Sequence, residues 1–211
     1  LIYYVDKALK TKNKVNTIVA SKHERPQWLN YEETILHCDK GIGTWDFASD
    51  EYPDIVLACA GDTPTLEVMA ATSIIREKSD IRVRVVNVVD LLTLERLSEE
   101  EFNEIFPPNK PVIFAFHGYP SVIEQLIYKR DRKFKIYGYI EEGAITTPFD
   151  MRVLNEIDRY HLVIHAVEAL DEYDYELKEY CLNKLKEHHD LIRETGKDLI
   201  EVTNWVWKDV Q

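Results

Sequence analysis

The alternation of apolar, β-branched segments with amphipathic segments most limits how this chain can fold. Five apolar segments are candidate strands: residues 15–21, 54–61, 81–89, 111–117 and 133–140. Two of them, DIVLACAG and PVIFAFH, are apolar almost throughout, which is typical of parallel strands covered on both faces. Strands that alternate with helices imply right-handed crossovers. The sequence therefore predicts an α/β fold, with an open, mostly parallel five-stranded sheet and helices on both faces.

The segments between these strands carry helix start and stop signals. Thr63 is predicted to cap a helix over residues 63–79, with Pro64 at its first position. Ser98 and Glu101 have the spacing of a capping box. Residues 121–130 end in basic side chains, which suit the negative end of a helix dipole.

The part of the chain after Pro148 is predicted to be helical. Residues 149–170 and 175–196 have helical patterns, and Gly196 is a natural helix end. Trp205 and Trp207 follow, and free tails seldom carry two tryptophans. The sequence therefore predicts a C-terminal helical cover with a docked tail.

Three parts of the chain are expected from this pattern. Residues 1–14 are predicted to be the tail of a preceding domain or a linker, residues 15–170 the α/β domain, and residues 171–211 a helical extension packed on it. The chain begins LIYYVDKALK without a Met, so we expect it to be a piece of a longer polypeptide.

The charge and cysteine content narrow the class of partner. The 211-residue chain has a net charge of −12. This argues against nucleic acid or an anionic membrane as the main partner, but a small phosphorylated metabolite needs only a few cations. No apolar segment reaches the ~20 residues of a membrane span. The cysteines, Cys38, Cys59 and Cys181, are odd in number and widely spaced, which predicts reduced cytoplasmic thiols and no zinc site.

Two segments could bind an anion. In CAGDTPT, the residues Gly61, Thr63 and Thr65 follow a predicted strand at a helix start, where anions can bind. A simple well-capped turn is the favoured interpretation there. In SKHERPQWL, Lys22 and His23 follow another predicted strand, and ligands gather at the carboxyl ends of such strands. They could grip a phosphate, although spacing alone favours a charged surface loop.

Other candidate residues carry less support. Glu141 and Glu142 precede TTPFD, a helix entrance in which Thr147, Pro148 and Asp150 are typical N-terminal residues. His161 and His165 lie one turn apart without a third ligand at a telling spacing, so we predict no metal site there. His188 and His189 are predicted to lie on the solvated face of a long helix. The sequence has neither a P-loop nor a GxGxxG or GxSxG motif.

Four ordered segments make the chain resemble a known family. They are ACAGDTPTLEVMAATSIIRE, IRVRVVNVVDLLTL, LSEEEFNEIFPPNKPVIFAFHGYPSVIEQLIY and EEGAITTPFDMRVLNEIDRYHL. Together with VNTIVASKHERPQWL they resemble the C-terminal domain of xylulose-5-phosphate/fructose-6-phosphate phosphoketolase, a transketolase-like enzyme. The resemblance runs over residues 15–170 and is looser through the final helices.

The resemblance implies an enzyme that uses thiamine diphosphate and Mg²⁺. Such an enzyme cleaves a ketose phosphate with inorganic phosphate to acetyl phosphate and an aldose phosphate, and it works as a dimer of chains with three α/β domains. The cofactor is held by a GDG…N motif in the first domain and activated by a Glu in the second. This chain has no GDG, so it would be the third domain, inactive alone, with the N-terminal and middle domains as its partners.

Residue roles follow from the same resemblance. Lys22 matches a lysine that contacts the substrate phosphate, with His23 beside it. Thr147, Pro148 and Asp150 match a TTTPFDM step, read as a structural hinge near a subunit or domain interface, although Ile145 stands where a Thr is usual. Two other functions stay open. One is a regulatory module that binds a nucleotide or acyl-phosphate effector near residues 61–65, and the other is a free-standing flavodoxin-like binding protein.

Overall fold

A five-stranded sheet in the order β1-β3-β2-β4-β5 forms the centre of the computed structural model, which describes residues 1–21, 24–130, 133–140, 143, 145–170 and 174–208. The strands are β1 (Ile42–Thr44), β2 (Ile55–Ala60), β3 (Val83–Val88), β4 (Val112–Phe116) and β5 (Phe134–Gly138). Strands β2 to β5 are parallel, and β1 pairs antiparallel with β3 at one edge. The predicted five-stranded, mostly parallel sheet is confirmed.

One predicted strand is wrong. Residues 15–21 do not join the sheet, and Val15 and Val19 are 97% and 80% exposed. The fifth strand is β1, which takes the free edge of β3. With three residues, β1 is too short to show a strand pattern. β-Branched residues favour extended backbone, but a strand also needs a partner, which local sequence does not reveal.

Ten helices connect and cover the strands in the described part of the chain. They are α1 (Ile2–Lys10), α2 (Tyr31–Lys40), α3 (Asp62–Lys78), α4 (Thr93–Arg96), α5 (Glu99–Ile105), α6 (Pro120–Ile127), α7 (Pro148–Leu154), α8 (Arg159–Ala169), α9 (Tyr175–Thr195) and α10 (Ile200–Thr203). The capping box of α5 and the left-handed Gly196 after α9 are confirmed.

Three predicted helix boundaries are wrong. Helix α3 begins one residue early, with Gly61 at the N-cap position, so Thr63 does not cap it. Helix α6 ends at Ile127; Arg130 lies beyond it and donates to the carbonyl of Leu97 at 2.5 Å. The predicted helix over residues 149–170 is two helices, because the chain turns after α7 and Asp158 caps α8.

Alternate residues of the central strands face two separate cores. Leu57 and Cys59 of β2 pack on one face with α3, α8 and α9, whereas Val56 and Ala58 pack on the other with α5 and α6. Helices therefore cover both faces, as predicted. The C-terminal cover is also confirmed, since α9 packs on α8 and the tail tryptophans pack against the first core.

The three cysteines are buried, free thiols, as their spacing predicts. Within the described ranges, no helix combines the length and apolar character needed to cross a membrane.

Candidate functional site

The carboxyl ends of β2 and β4 meet at one edge of the sheet. Gly61 follows β2 and His117 follows β4, and the amide of His117 donates to the carbonyl of Ala60 at 3.1 Å. Gly61 has a φ of +101°, and a Cβ there would lie 2.8 Å from the Cβ of His117. Glycine is therefore required where the chain enters α3.

Asp62 organises the start of α3. Its Oδ1 accepts from the amide of Thr63 at 2.9 Å, and its Oδ2 accepts from the amide of Ser21 at 2.8 Å. Arg25 reaches the same turn, where its Nη2 donates to Oγ1 of Thr63 at 2.9 Å. Two points of the N-terminal segment are thus fastened to the first turn of α3.

Lys22 and His23, the predicted phosphate contacts, lie outside the described residues. Their neighbours Ser21 and Arg25 are both fastened at the start of α3. The Nε of Arg25 is buried and has no hydrogen-bond partner among the described residues. The flanks of this pair therefore reach the sheet edge by hydrogen bonds and not by a strand.

The residues of the predicted effector site are already engaged. The hydroxyl of Thr65 donates to the carbonyl of Gly61 at 2.7 Å and accepts from Asn87 Nδ2 at 3.0 Å. The hydroxyl of Thr63 accepts from Arg25. The side chain of Asp62 already places a negative charge on this first turn of α3, where the positive end of the helix dipole would otherwise favour a bound anion.

A buried polar network continues behind Thr65. Asn87 of β3 bonds His37 of α2, with 2.8 Å between Oδ1 and Nε2. Burial lowers the pKa of His37, although the bond to Asn87 opposes this. A neutral ring that donates from Nε2 suits the Asn87 oxygen. This network joins α2, β3 and α3 beneath the site.

His117 is a candidate site residue that the sequence analysis missed. The residue is exposed overall, yet the protein around its ring removes enough water to lower its pKa; Asp62 opposes this, and Arg25 and Arg152 add to it. The centre of its ring lies 5.5 Å from the ring centre of Tyr139. The sequence does contain a signal for this residue. His117 is the last residue of the predicted buried strand PVIFAFH, and ligands bind at the carboxyl ends of such strands.

Arg25, Asp62, Thr65 and His117 border a cleft of about 1290 Å³. One wall is the N-terminal segment, which includes Ile18 and Val19, and the other is the sheet edge with Asp62 and His117. Ile18 and Val19 are 41% and 80% exposed. The cleft therefore combines ionisable groups with apolar surface that this chain leaves open.

The helix entrance at Thr147 and Pro148 has the predicted cap. Oγ1 of Thr147 accepts from the amide of Asp150 at 3.2 Å and donates to Asp198 in the tail. The carboxylate of Asp150 also accepts from Thr146 at 2.6 Å. Glu141 and Glu142 lie outside the described residues. The entrance is thus tied to the C-terminal tail.

The prediction for His188 is wrong, whereas His189 is exposed as expected. His188 is fully buried, with its Nε2 3.1 Å from Asp150 and its ring 5.0 Å from that of Phe149. It lies on the same face of α9 as Leu177 and Cys181, both buried. That helical spacing could have revealed its burial.

A buried ion cluster lies behind the site. Glu67 of α3 is 0% exposed and bonds Arg152 of α7 and Arg159 of α8. Arg159 donates from its amide at 2.9 Å and from its Nε at 3.0 Å. Burial alone would raise the pKa of Glu67, but the two guanidinium groups lower it. The cluster joins three helices.

No group of three or more His, Cys, Asp or Glu side chains within the described ranges could hold a metal ion. His161 pairs with Asp158, and His165 stacks on Tyr137 with 3.7 Å between ring centres. The sequence has no GDG motif for a diphosphate and its Mg²⁺. The described residues therefore do not fit thiamine diphosphate and its Mg²⁺.

Comparisons with known proteins agree on one family. The model of the XFP C-terminal domain family matches residues 22–207. Proteins named "Probable phosphoketolase" are similar along 98% of this chain: that of Nitrosomonas europaea is 46% identical and that of Brucella abortus 47%. The chain spans 28% of the length of these relatives.

Solved structures show the same fold. A transketolase from Pichia stipitis in complex with sedoheptulose 7-phosphate gives a TM-score of 0.50 at 20% identity, over 64% of this chain and 18% of that one. Transketolase from Leishmania mexicana gives 0.50 at 16% identity, over the same shares of each chain. This domain therefore has a transketolase-like fold.

Proposed function

The chain belongs to the XFP C-terminal domain family, and from this membership we propose that it is the C-terminal domain of a phosphoketolase. The enzyme would cleave xylulose 5-phosphate, fructose 6-phosphate or both with inorganic phosphate, giving acetyl phosphate and an aldose phosphate. The observation that carries this proposal is the 46–47% identity to phosphoketolases over 98% of the chain.

The cofactor and the chemical step are assigned to other parts of the enzyme. Thiamine diphosphate and Mg²⁺ would be bound by the N-terminal and middle domains, since this sequence has no GDG motif and the described residues include no group of metal ligands. The relatives are much longer than this chain, which leaves ample room for those domains. We expect the isolated chain to show no phosphoketolase activity.

The domain would contribute assembly and a substrate contact. The exposed apolar side chains along the cleft, such as Val15 and Val19, suit a contact with another domain or subunit of a cytoplasmic dimer. Lys22, with His23 beside it, would hold the substrate phosphate as a charge-assisted hydrogen-bond donor. Ser21 and Arg25 support this role, because they fasten the flanking chain to the sheet edge.

Steady-state kinetics of the full-length Lys22→Ala enzyme test this role. A hydrogen bond to a charged group is worth about 1.5–3 kcal/mol, so we expect KM for the sugar phosphate to rise roughly tenfold to hundredfold. Lys12→Ala is the matched control, because Lys12 is an exposed lysine of the same N-terminal segment. An unchanged KM in Lys22→Ala, or an equal rise in Lys12→Ala, would contradict the role of Lys22.

A further inference from the structure

Three segments that are distant in sequence meet in one group of aromatic rings. Trp28 lies between Trp45, with 6.1 Å between ring centres, and Trp205 of the C-terminal tail, at 6.4 Å. Phe47 stacks on Trp45 at 5.6 Å. We call Trp28, Trp45 and Trp205 the aromatic clamp. It joins the segment after residue 24 both to the end of the edge strand β1, which Trp45 follows, and to the C-terminal tail.

Each outer member of the clamp is held independently of Trp28. Trp45 is 5% exposed and belongs to the first core. The guanidinium of Arg159 lies 5.4 Å from the ring centre of Trp205, a cation–π contact, and is itself bound to the buried Glu67. Trp205 therefore rests on the ion cluster that joins α3, α7 and α8.

The tail that carries Trp205 is anchored before it reaches the clamp. Leu199 and Val202 are 5% and 8% exposed, and the hydroxyl of Tyr160 donates to Glu201 at 2.7 Å. Asp198 accepts from Thr147 at the entrance of α7. The tail is thus a fixed surface, and Trp28 of the N-terminal segment packs on it through Trp205.

The segment held by the clamp is the one that reaches the candidate site. Arg25 comes three residues before Trp28 in the sequence, and Pro26 between them restricts the backbone. Arg25 in turn donates to Thr63 on the first turn of α3. The hydrogen bond of Arg25 alone would fix this segment weakly, whereas the partly buried aromatic contact of Trp28 with Trp45 and Trp205 adds a second and larger constraint.

We propose that the C-terminal tail positions the candidate site through the aromatic clamp, with Trp205 and Trp28 as positioning residues. By holding Trp28, the tail keeps Arg25 at the start of α3. The kinetic consequence rests on the proposed phosphoketolase function, but the structural consequence does not.

Hydrogen exchange of the full-length enzyme tests the structural part. In Trp205→Ala, the amides of residues 24–30 other than Pro26, which has no amide hydrogen, should exchange at least about tenfold faster, because they open locally, while those of α3 and β2 keep their rates. Trp205→Phe keeps an aromatic surface and should restore most of the protection. Val206→Ala is the matched control, since that tail side chain is 64% exposed.

Kinetics of the same variants test the functional part. Because a loose segment weakens binding without changing the reacting groups, KM for the sugar phosphate should rise about threefold to tenfold in Trp205→Ala, with kcat within about twofold. Trp28→Ala removes the same contact from the other side and serves if Trp205→Ala does not fold.

The outcomes separate the clamp from the proposed function. Unchanged exchange at residues 24–30 in both alanine variants overturns the clamp, and so does faster exchange spread evenly over α3 and β2. If residues 24–30 loosen but KM stays constant in both Trp205→Ala and Lys22→Ala, the clamp stands and the phosphate contact of this segment fails.

Discussion

Asp62 and Glu67 lie little more than one turn apart on α3, and they serve opposite purposes. Glu67 is fully buried and compensated by Arg152 and Arg159, both of this domain. Asp62 lies at the sheet edge, where it accepts from two backbone amides. Beside it, Arg25 keeps a buried Nε without a hydrogen-bond partner among the described residues.

The difference separates charges that hold the fold from charges that remain available to a ligand. A buried acid must be fully paired, since an uncompensated charge in the interior is costly. At the sheet edge, water or a binding partner can provide the hydrogen bonds that the protein itself does not supply. The Asp62 edge is therefore the part of this region that is open to a ligand, and the Glu67 cluster is the support behind it.

Removing Glu67 should give the largest loss of stability among these variants. If it did not, the contrast between Glu67 and Asp62 would fail. Glu67→Ala leaves two buried guanidinium groups uncompensated, so we expect a loss of about 3–5 kcal/mol in the free energy of unfolding. Urea unfolding followed by tryptophan fluorescence measures it. If this variant does not fold, Glu67→Gln, which keeps the volume and an acceptor, gives the measurement.

Glu77→Ala is the matched control for this experiment. Glu77 lies on the same helix, its side chain is 69% exposed, and its partner Lys78 is 3.9 Å away. We expect its free energy of unfolding to change by less than about 0.5 kcal/mol. A loss below about 1 kcal/mol in the Glu67 variant would mean that the cluster does not support the fold.

The entrance of α7 should give an intermediate effect, which sharpens the comparison. Thr147→Ala removes the cap that accepts from the amide of Asp150 and the bond to Asp198. Loss of an N-cap costs about 0.5–2 kcal/mol, and the same unfolding experiment measures it. Thr147→Ser keeps the hydroxyl and should stay close to wild type; equal losses in both variants would show that the cap is not the cause.

Local sequence patterns correctly predict the central strands, because the burial of these strands shows in their own residues. The buried runs at residues 54–61 and 111–117 are apolar on both faces, and the structure places them as neighbouring central strands. Residues 15–21 have similar composition but no strand partner. Composition shows that a segment favours extended backbone, whereas sheet membership depends on distant residues.

The predicted phosphate site at Lys22 rests partly on a strand that residues 15–21 do not form. Ser21 and Arg25 nonetheless reach the sheet edge, because the side chains of Asp62 and Thr63 on α3 accept hydrogen bonds from them. Such contacts, like those of Glu67 with Arg159, join residues far apart in sequence, and a single sequence carries no signal for them.

Titration of His117 gives the smallest expected effect and tests the Asp62 side of the comparison. Because the surrounding protein withdraws water from its ring, the pKa of His117 should lie below the ordinary value of about 6.5. The carboxylate of Asp62 opposes this shift, so Asp62→Asn should lower the pKa further. Proton NMR of the ring measures both values, and Asp80→Asn, two residues beyond the C-terminal end of α3, is the control.

The sign of the pH effect on stability follows from the lowered pKa. Below about pH 6.5 the unfolded chain binds more protons at this position than the folded chain does. The contribution of His117 to stability is therefore present above the unfolded pKa and is lost as the pH falls through the folded pKa. An unchanged pKa in Asp62→Asn would place the Asp62 carboxylate out of reach of the ring, and the two would then not belong to one site.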